Sequence, residues 1–130
     1  GRHASAAGAD EIITGSLVNA RAIADYIRMR DPEVVSLVCM GVNGNEIAPE
    51  DELCGRYIRS LLTGDDFDMG GELLALVNEP TSAKFFDRKQ QCVFPVKDLL
   101  MCIDYDRFPF VLKVKRINED VFEINKCELE

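Results

Sequence analysis

Val34-Val35-Ser36-Leu37-Val38-Cys39-Met40-Gly41-Val42-Asn43-Gly44-Asn45 decides the reading of this chain. Seven residues, nearly all apolar and β-branched at their start, run into a turn rich in Gly and Asn. Such a run reads as a strand buried on both faces, as in a covered parallel sheet. The turn then stands at the carboxyl end of a strand, the edge at which open α/β sheets bind ligands.

The flanks agree with that reading. On the amino side, Glu11–Thr14 reads as a short strand, and Gly15-Ser16 opens a helix. Ser16 can cap it, and Ala20, Ile23, Ala24 and Ile27 follow the helical period. Arg28 and Arg30 suit its carbonyl end and Pro32 stops it. On the carboxyl side, Pro49 takes a first helical position, followed by Glu50, Asp51 and Glu52. Cys54, Tyr57, Ile58 and Leu61 keep the period, and Gly64 ends the helix. The first half is therefore β-α-β-α, the pattern of an α/β layer fold. After a Gly- and Asp-rich link ending at Gly71, Glu72–Val77 and Thr81–Arg88 read as helical. Strands are expected around Asp98–Asp104, Phe110–Lys115 and Val121–Ile124, forming an antiparallel or mixed edge.

With 130 residues, 47% apolar and 29% charged, the chain reads as one globular α/β domain over residues 1–130. No run approaches the roughly 18 apolar residues of a membrane span, so no membrane partner is expected. The formal net charge of −8 disfavours nucleic acid. It also means that an anionic ligand needs help, from a divalent cation, a helix N-terminus or a local Arg/Lys cluster. The five cysteines include no CxxC pair and fit no zinc spacing. Reduced thiols in a cytoplasmic protein are the expected state, with Cys39 and Cys54 as small buried hydrophobes. His3 is the sole histidine, so no Ser/His or Cys/His pair is credible. There is no P-loop, no GxGxxG and no GxSxG.

The candidate chemistry sits between Cys39 and Leu61. Gly41, Asn43 and Gly44 can bring backbone N–H groups to an anion. Of the three acids behind them, Glu52 lies on the polar face with Arg56 and Arg59, where i,i+4 pairing is its natural role. Glu50 and Asp51 lie above the apolar stripe. They could bind Mg²⁺ through oxygen or orient water, although first-turn acids also serve the helix dipole alone. Asn19 could present its amide to a cleft, or with Ser16 simply cap the first helix.

These elements resemble a known family. Gly15-Ser16-Leu17-Val18-Asn19-Ala20 resembles the "GS-x-x-N-A" helix start of 2-phosphosulfolactate phosphatases. Val35–Gly41 resembles their strand ending in C-A-G, and Pro49–Gly55 their "ED-x-x-C-A-G" helix. Cys102–Val111 is similar to their closing strand region. The order and spacing also agree. The resemblance implies a three-layer α/β/α fold with a partly parallel, mixed sheet. It also implies Mg²⁺-dependent hydrolysis of 2-phospho-3-sulfolactate, or a related small anionic organophosphate, to the alcohol and phosphate. Glu50 and Asp51 fall on the family's paired acids and Asn19 on its helix-start Asn. Glu50 and Asp51 are thus the expected catalytic and metal residues, and Asn19, Gly41, Asn43 and Gly44 the substrate-binding ones. Nearly all of the chain is covered, but it corresponds to the second half of a family member, with Gly1-Arg2 at the tail of a preceding motif. Met40 replaces the usual Ala, and Arg56 follows the glycine. The resemblance therefore leaves two other states open, an inactive fragment or a non-catalytic binding and assembly module. It also implies apolar surface that self-association or a missing N-terminal half would cover.

Overall fold

The computed structural model describes residues 8–129. Gly1, Arg2, His3 and Glu130 lie outside the described residues. Strand β1, Ile12–Thr14, leads into a 3-10 turn, Leu17–Asn19, and helix α1, Ala20–Arg30. The backbone N–H and Oγ of Ser16 both donate to Asn19 Oδ1, at 3.1 and 3.4 Å, and close that turn. Helix α1 stops where expected: Asp31 adopts φ +48 and its N–H donates to the Ile27 carbonyl at 2.9 Å. Helix α2, Pro49–Thr63, starts at Pro49 and ends at Gly64, which takes the left-handed φ of +79 that terminates helices cheaply only with glycine. Helix α3 spans Met69–Val77, with Asp68 accepting from the Gly71 N–H at 3.1 Å. Two 3-10 turns, Pro80–Phe86 and Arg88–Gln90, lead to helix α4, Val96–Cys102. Strands β2, Phe110–Arg116, and β3, Phe122–Glu128, close the chain.

The sheet has the order β1-β2-β3, and both pairings are antiparallel. The register sets Ile13 opposite Lys113 and Val111 opposite Cys127. Ile13, Val111 and Cys127 thus share one face, and this face meets the core of Ala20, Ile23, Leu53, Tyr57 and Ile58 from α1 and α2. Ile12, Leu112, Val114 and Ile124 lie on the other face, and none of them joins that core. The fold is therefore α/β, as expected. The described residues contain antiparallel pairs and no parallel one.

Three sequence expectations change. Val34–Met40 forms no strand. Its exposure alternates with the period of a strand, at 78% for Val34, 69% for Val38 and 58% for Met40 against 40% for Val35 and 39% for Leu37. Yet none of its backbone groups has a hydrogen bond among the described residues. An extended chain becomes a strand only through a ladder, and no described strand lies beside it. Cys39 is accordingly exposed rather than buried. Second, the stretch Asp98–Asp104 is largely helix α4, not strand. Val96, Leu99, Leu100 and Ile103 fall at i, i+3, i+4 and i+7, and Leu99 and Ile103 face inward. Third, the helical piece expected over Thr81–Arg88 is tighter, in 3-10 turns.

One side chain ties the distant parts together. Asp106 Oδ1 accepts from the Arg21 N–H at 2.9 Å, and Oδ2 accepts from Arg21 Nε at 3.1 Å and from the Tyr57 hydroxyl. The carboxylate so closes the first turn of α1 and reaches the middle of α2. Burial, and then the hydrogen bond to Asp106 and its charge, push the Tyr57 hydroxyl up to about 12. Replacing Asp106 with Ala leaves these donors unmatched and should cost about 2–4 kcal/mol in urea unfolding. The raised Tyr57 value favours the neutral, folded-state phenol. Its contribution to stability is therefore complete below the unfolded value near 10 and lost as pH rises through about 12. A Tyr57→Phe variant should be less stable at pH 8 and should show a shallower loss of urea midpoint between those pH values.

Candidate functional site

The glycine turn and the start of α2 meet as the sequence expects. The N–H of Val42 donates to the Glu46 carbonyl at 2.9 Å, and Asn45 and Glu46 both donate back to the Val42 carbonyl, at 3.1 and 3.2 Å. Asn43 and Gly44 carry successive positive φ values of +53 and +75, the conformation that Asn-Gly favours. Gly41 is needed more strictly. Its φ is +67, and a Cβ there would collide with the Glu46 carbonyl oxygen. These internal bonds use the N–H groups of Val42, Asn45 and Glu46, and those of Asn43 and Gly44 stay outside them.

Asp51 joins the turn to the helix. Its Oδ2 accepts from the Gly41 N–H at 2.8 Å, and its backbone carbonyl accepts from Cys39 Sγ at 3.4 Å. A small cavity of about 180 Å³ lies here, lined by Cys39, Met40, Gly41, Gly44, Glu46 and Glu52 among others. Helix α2 has a buried Ala48 at its N-cap, which offers no side-chain oxygen to the first-turn N–H groups. Three acids, Glu50, Asp51 and Glu52, stand in that turn instead.

Of the expected site residues, Gly41 and Asp51 are bonded to each other, Gly41 and Gly44 line the cavity, and Asp51 does not line it. Asn43 is exposed at the turn's tip. Glu50 is also exposed and does not line the cavity. It sits instead near Cys102 of α4, whose thiol is pushed up by burial and then by the charges of Glu50 and Asp98. Asn19 is buried and committed: its Oδ1 serves Ser16, and its Nδ2 donates to the Phe110 carbonyl at 3.3 Å.

Sequence reasoning missed Glu52. Its expected partner Arg56 makes a bidentate pair with Glu72 at 2.7 Å, and Glu52 faces the cavity, beside Cys39. Helix α4, expected as a strand, brings Asp98 and Cys102 to the neighbourhood of Glu50. The helical spacing of Val96, Leu99, Leu100 and Ile103 was the available signal.

The thiols here stay protonated at neutral pH. Burial, with Glu52 and Asp51 nearby, raises Cys39, and burial raises Cys54 to about 11. Neither is poised as a thiolate nucleophile. What the arrangement offers is hard oxygen, the donor type Mg²⁺ takes. Among the described residues no group of three or more His, Cys, Asp or Glu is close enough to hold a metal ion. Mg²⁺ is commonly held by one or two carboxylates together with water and substrate phosphate, so the donors fit that smaller role.

Residues 2–116 match the family model of 2-phosphosulpholactate phosphatase. No curated protein and no solved structure matches the chain. Strand β3 lies beyond the matched span.

The collision at Gly41 and the open space around Gly44 make a paired prediction. Gly41→Ala should lower stability by about 2 kcal/mol or more and release the Asp51 bond, because both its φ and its space are restricted. Gly44→Ala meets only the backbone penalty of about 1 kcal/mol. Urea midpoints of the two variants should separate in that order.

Proposed function

This chain belongs to the 2-phosphosulpholactate phosphatase family, and we propose that it acts in Mg²⁺-dependent hydrolysis of a small, doubly anionic phosphate monoester, with 2-phospho-3-sulfolactate as the first candidate. The observation that carries this reading is the bond between Asp51 Oδ2 and the Gly41 N–H. It sets a carboxylate beside a turn whose backbone can approach an anion.

Electrostatics supports a cation at this place. A chain of net charge −8 that sets three carboxylates in one helical turn repels a phosphate there. A divalent cation between them would offset most of that negative charge and meet the phosphate oxygens directly with opposite sign. Bound Mg²⁺ supplies neutralisation of phosphate charge and polarisation of the phosphoryl group. Asp51, through Oδ1, and Glu50 are the residues we assign to hold it. The N–H groups of Asn43 and Gly44 bind phosphate or sulfonate oxygens. Gly41, held to Asp51, fixes the turn's approach. Asn19 acts at one remove, by holding the start of α1 to the Phe110 carbonyl.

The test is phosphate release by the full protein from 2-phospho-3-sulfolactate and from phosphate monoesters lacking the sulfonate. Release should require Mg²⁺ and favour the sulfonated substrate. Asp51→Asn keeps an oxygen for the Gly41 N–H but loses the charge. Combined with Glu50→Gln, it should lower kcat/KM by about 100-fold or more. Unchanged turnover in that double variant would remove both acids from the chemistry. The exposed apolar run at Val34–Met40 favours a second reading, a non-catalytic assembly module. That reading requires no heat on titration with Mg²⁺ and no phosphate release from any of these esters.

A further inference from the structure

Two atoms of one short segment reach Asp51. Cys39 Sγ donates to its backbone carbonyl at 3.4 Å, and the Gly41 N–H donates to its Oδ2 at 2.8 Å. Cys39 and Gly41 lie two residues apart, so the two bonds close a ring through Met40 and the first turn of α2. Over Val34–Met40 the thiol makes the one hydrogen bond found among the described residues. Beyond Gly41 the chain enters a turn that closes on itself, from the Val42 N–H to the Glu46 carbonyl. The glycine is thus placed from behind by a sulfur and from ahead by the turn. Gly55 leaves room for the sulfur: a Cβ there would touch it at 3.4 Å. Glycine inside a helix is otherwise unfavourable.

We propose that Cys39 is a positioning residue, whose thiol pins the Asp51 backbone, keeps the Gly41 N–H on Oδ2 and so presents Oδ1 to the cation. This rests on the Mg²⁺-dependent reading of the same site. A carboxylate in a first helical turn samples several rotamers unless something takes one of its oxygens. Here the donor that takes Oδ2 is itself tied, two residues earlier, to the same residue's carbonyl. The rotamer is therefore set before any ion arrives, and a ligand set in advance binds at less cost. The thiol is a weak donor, and its effect lies in where it stands. Glu52 also stands beside it, but the Asp51 carbonyl is the acceptor it meets.

Four variants of the full chain separate the bond from the packing. Cys39→Ser keeps a donor, Cys39→Val keeps apolar bulk without one, and Cys39→Ala removes both. Glu52→Ala removes the neighbouring acid. The first readout is exchange of the Gly41 amide, followed by NMR without metal. The Val and Ala variants at Cys39 should exchange about 2- to 10-fold faster, the size of one net hydrogen bond. The Ser variant and Glu52→Ala should stay close to the parent. The second readout is phosphate release against Mg²⁺ concentration. In the Val and Ala variants the half-maximal Mg²⁺ concentration should rise about 2- to 10-fold, more than kcat at saturating Mg²⁺ falls, and the Ser variant should restore it. Circular dichroism checks that each variant is folded. Equal Gly41 exchange in the parent, Cys39→Val and Cys39→Ala would overturn the proposal, as would a Ser variant that behaves like Ala. Exchange accelerated as much by Glu52→Ala would route the effect through Glu52 and overturn it too. A parent that releases no phosphate with Mg²⁺ would sink the phosphatase reading alone, since Gly41 exchange still decides whether the thiol holds Asp51.

Discussion

The Asp106 carboxylate ties three distant parts of the described structure to one another. It comes from the loop before β2, and it takes donors from the first turn of α1 and from the middle of α2. Backbone bonds beside it repeat the join, from the Asp106 N–H to the Leu17 carbonyl and from the Phe108 N–H to the Val18 carbonyl. Asn19 adds a third, to the Phe110 carbonyl. Together they fix where β2 enters relative to α1. That entry sets the register, and the register decides that Val111 rather than Leu112 turns into the core. A single-residue slip would exchange the two faces. Asp106 itself sits at φ +55, a conformation that Asp tolerates better than most residues.

What was legible in the sequence was local. Ser16 with Asn19, Pro49 at the start of α2 and Gly64 at its end act within one turn of themselves, so their neighbours in sequence are their partners in space. Strands β2 and β3 were legible for the same reason, since a short turn joins them. Asp106 was not legible, because its partners lie 85 and 49 residues away and nothing near it marks them. Helix α4 shows a different failure. Its apolar residues fit the helical period, but a seven-residue element carries too few repeats to separate a helix from an apolar strand.

The candidate site divides along the same line. Gly41 and Asp51 were legible because the turn and the helix start are ten residues apart and their geometry is forced: positive φ at the glycine, an acid in the first turn. Glu52 was misassigned because i,i+4 spacing names an available partner, not the chosen one. Arg56 takes Glu72 from α3, whose carboxylate meets both arms of the guanidinium at 2.7 Å. Planar bidentate geometry outweighs a helical neighbour of the same charge. Glu52 stays within electrostatic reach of Arg56 and lines the cavity.

The run Val34–Met40 and the Gly41 turn are one uninterrupted, charge-free stretch. Its two ends serve different needs. The apolar end has no backbone hydrogen bond among the described residues. The glycine end holds N–H groups at an angle that only positive φ permits. Between them, Cys39 and Gly41 are each tied to Asp51, one through its carbonyl and one through its carboxylate. Asp51 thus holds both the residue near the end of the apolar run and the glycine that opens the turn, so the turn and the start of α2 share one anchor.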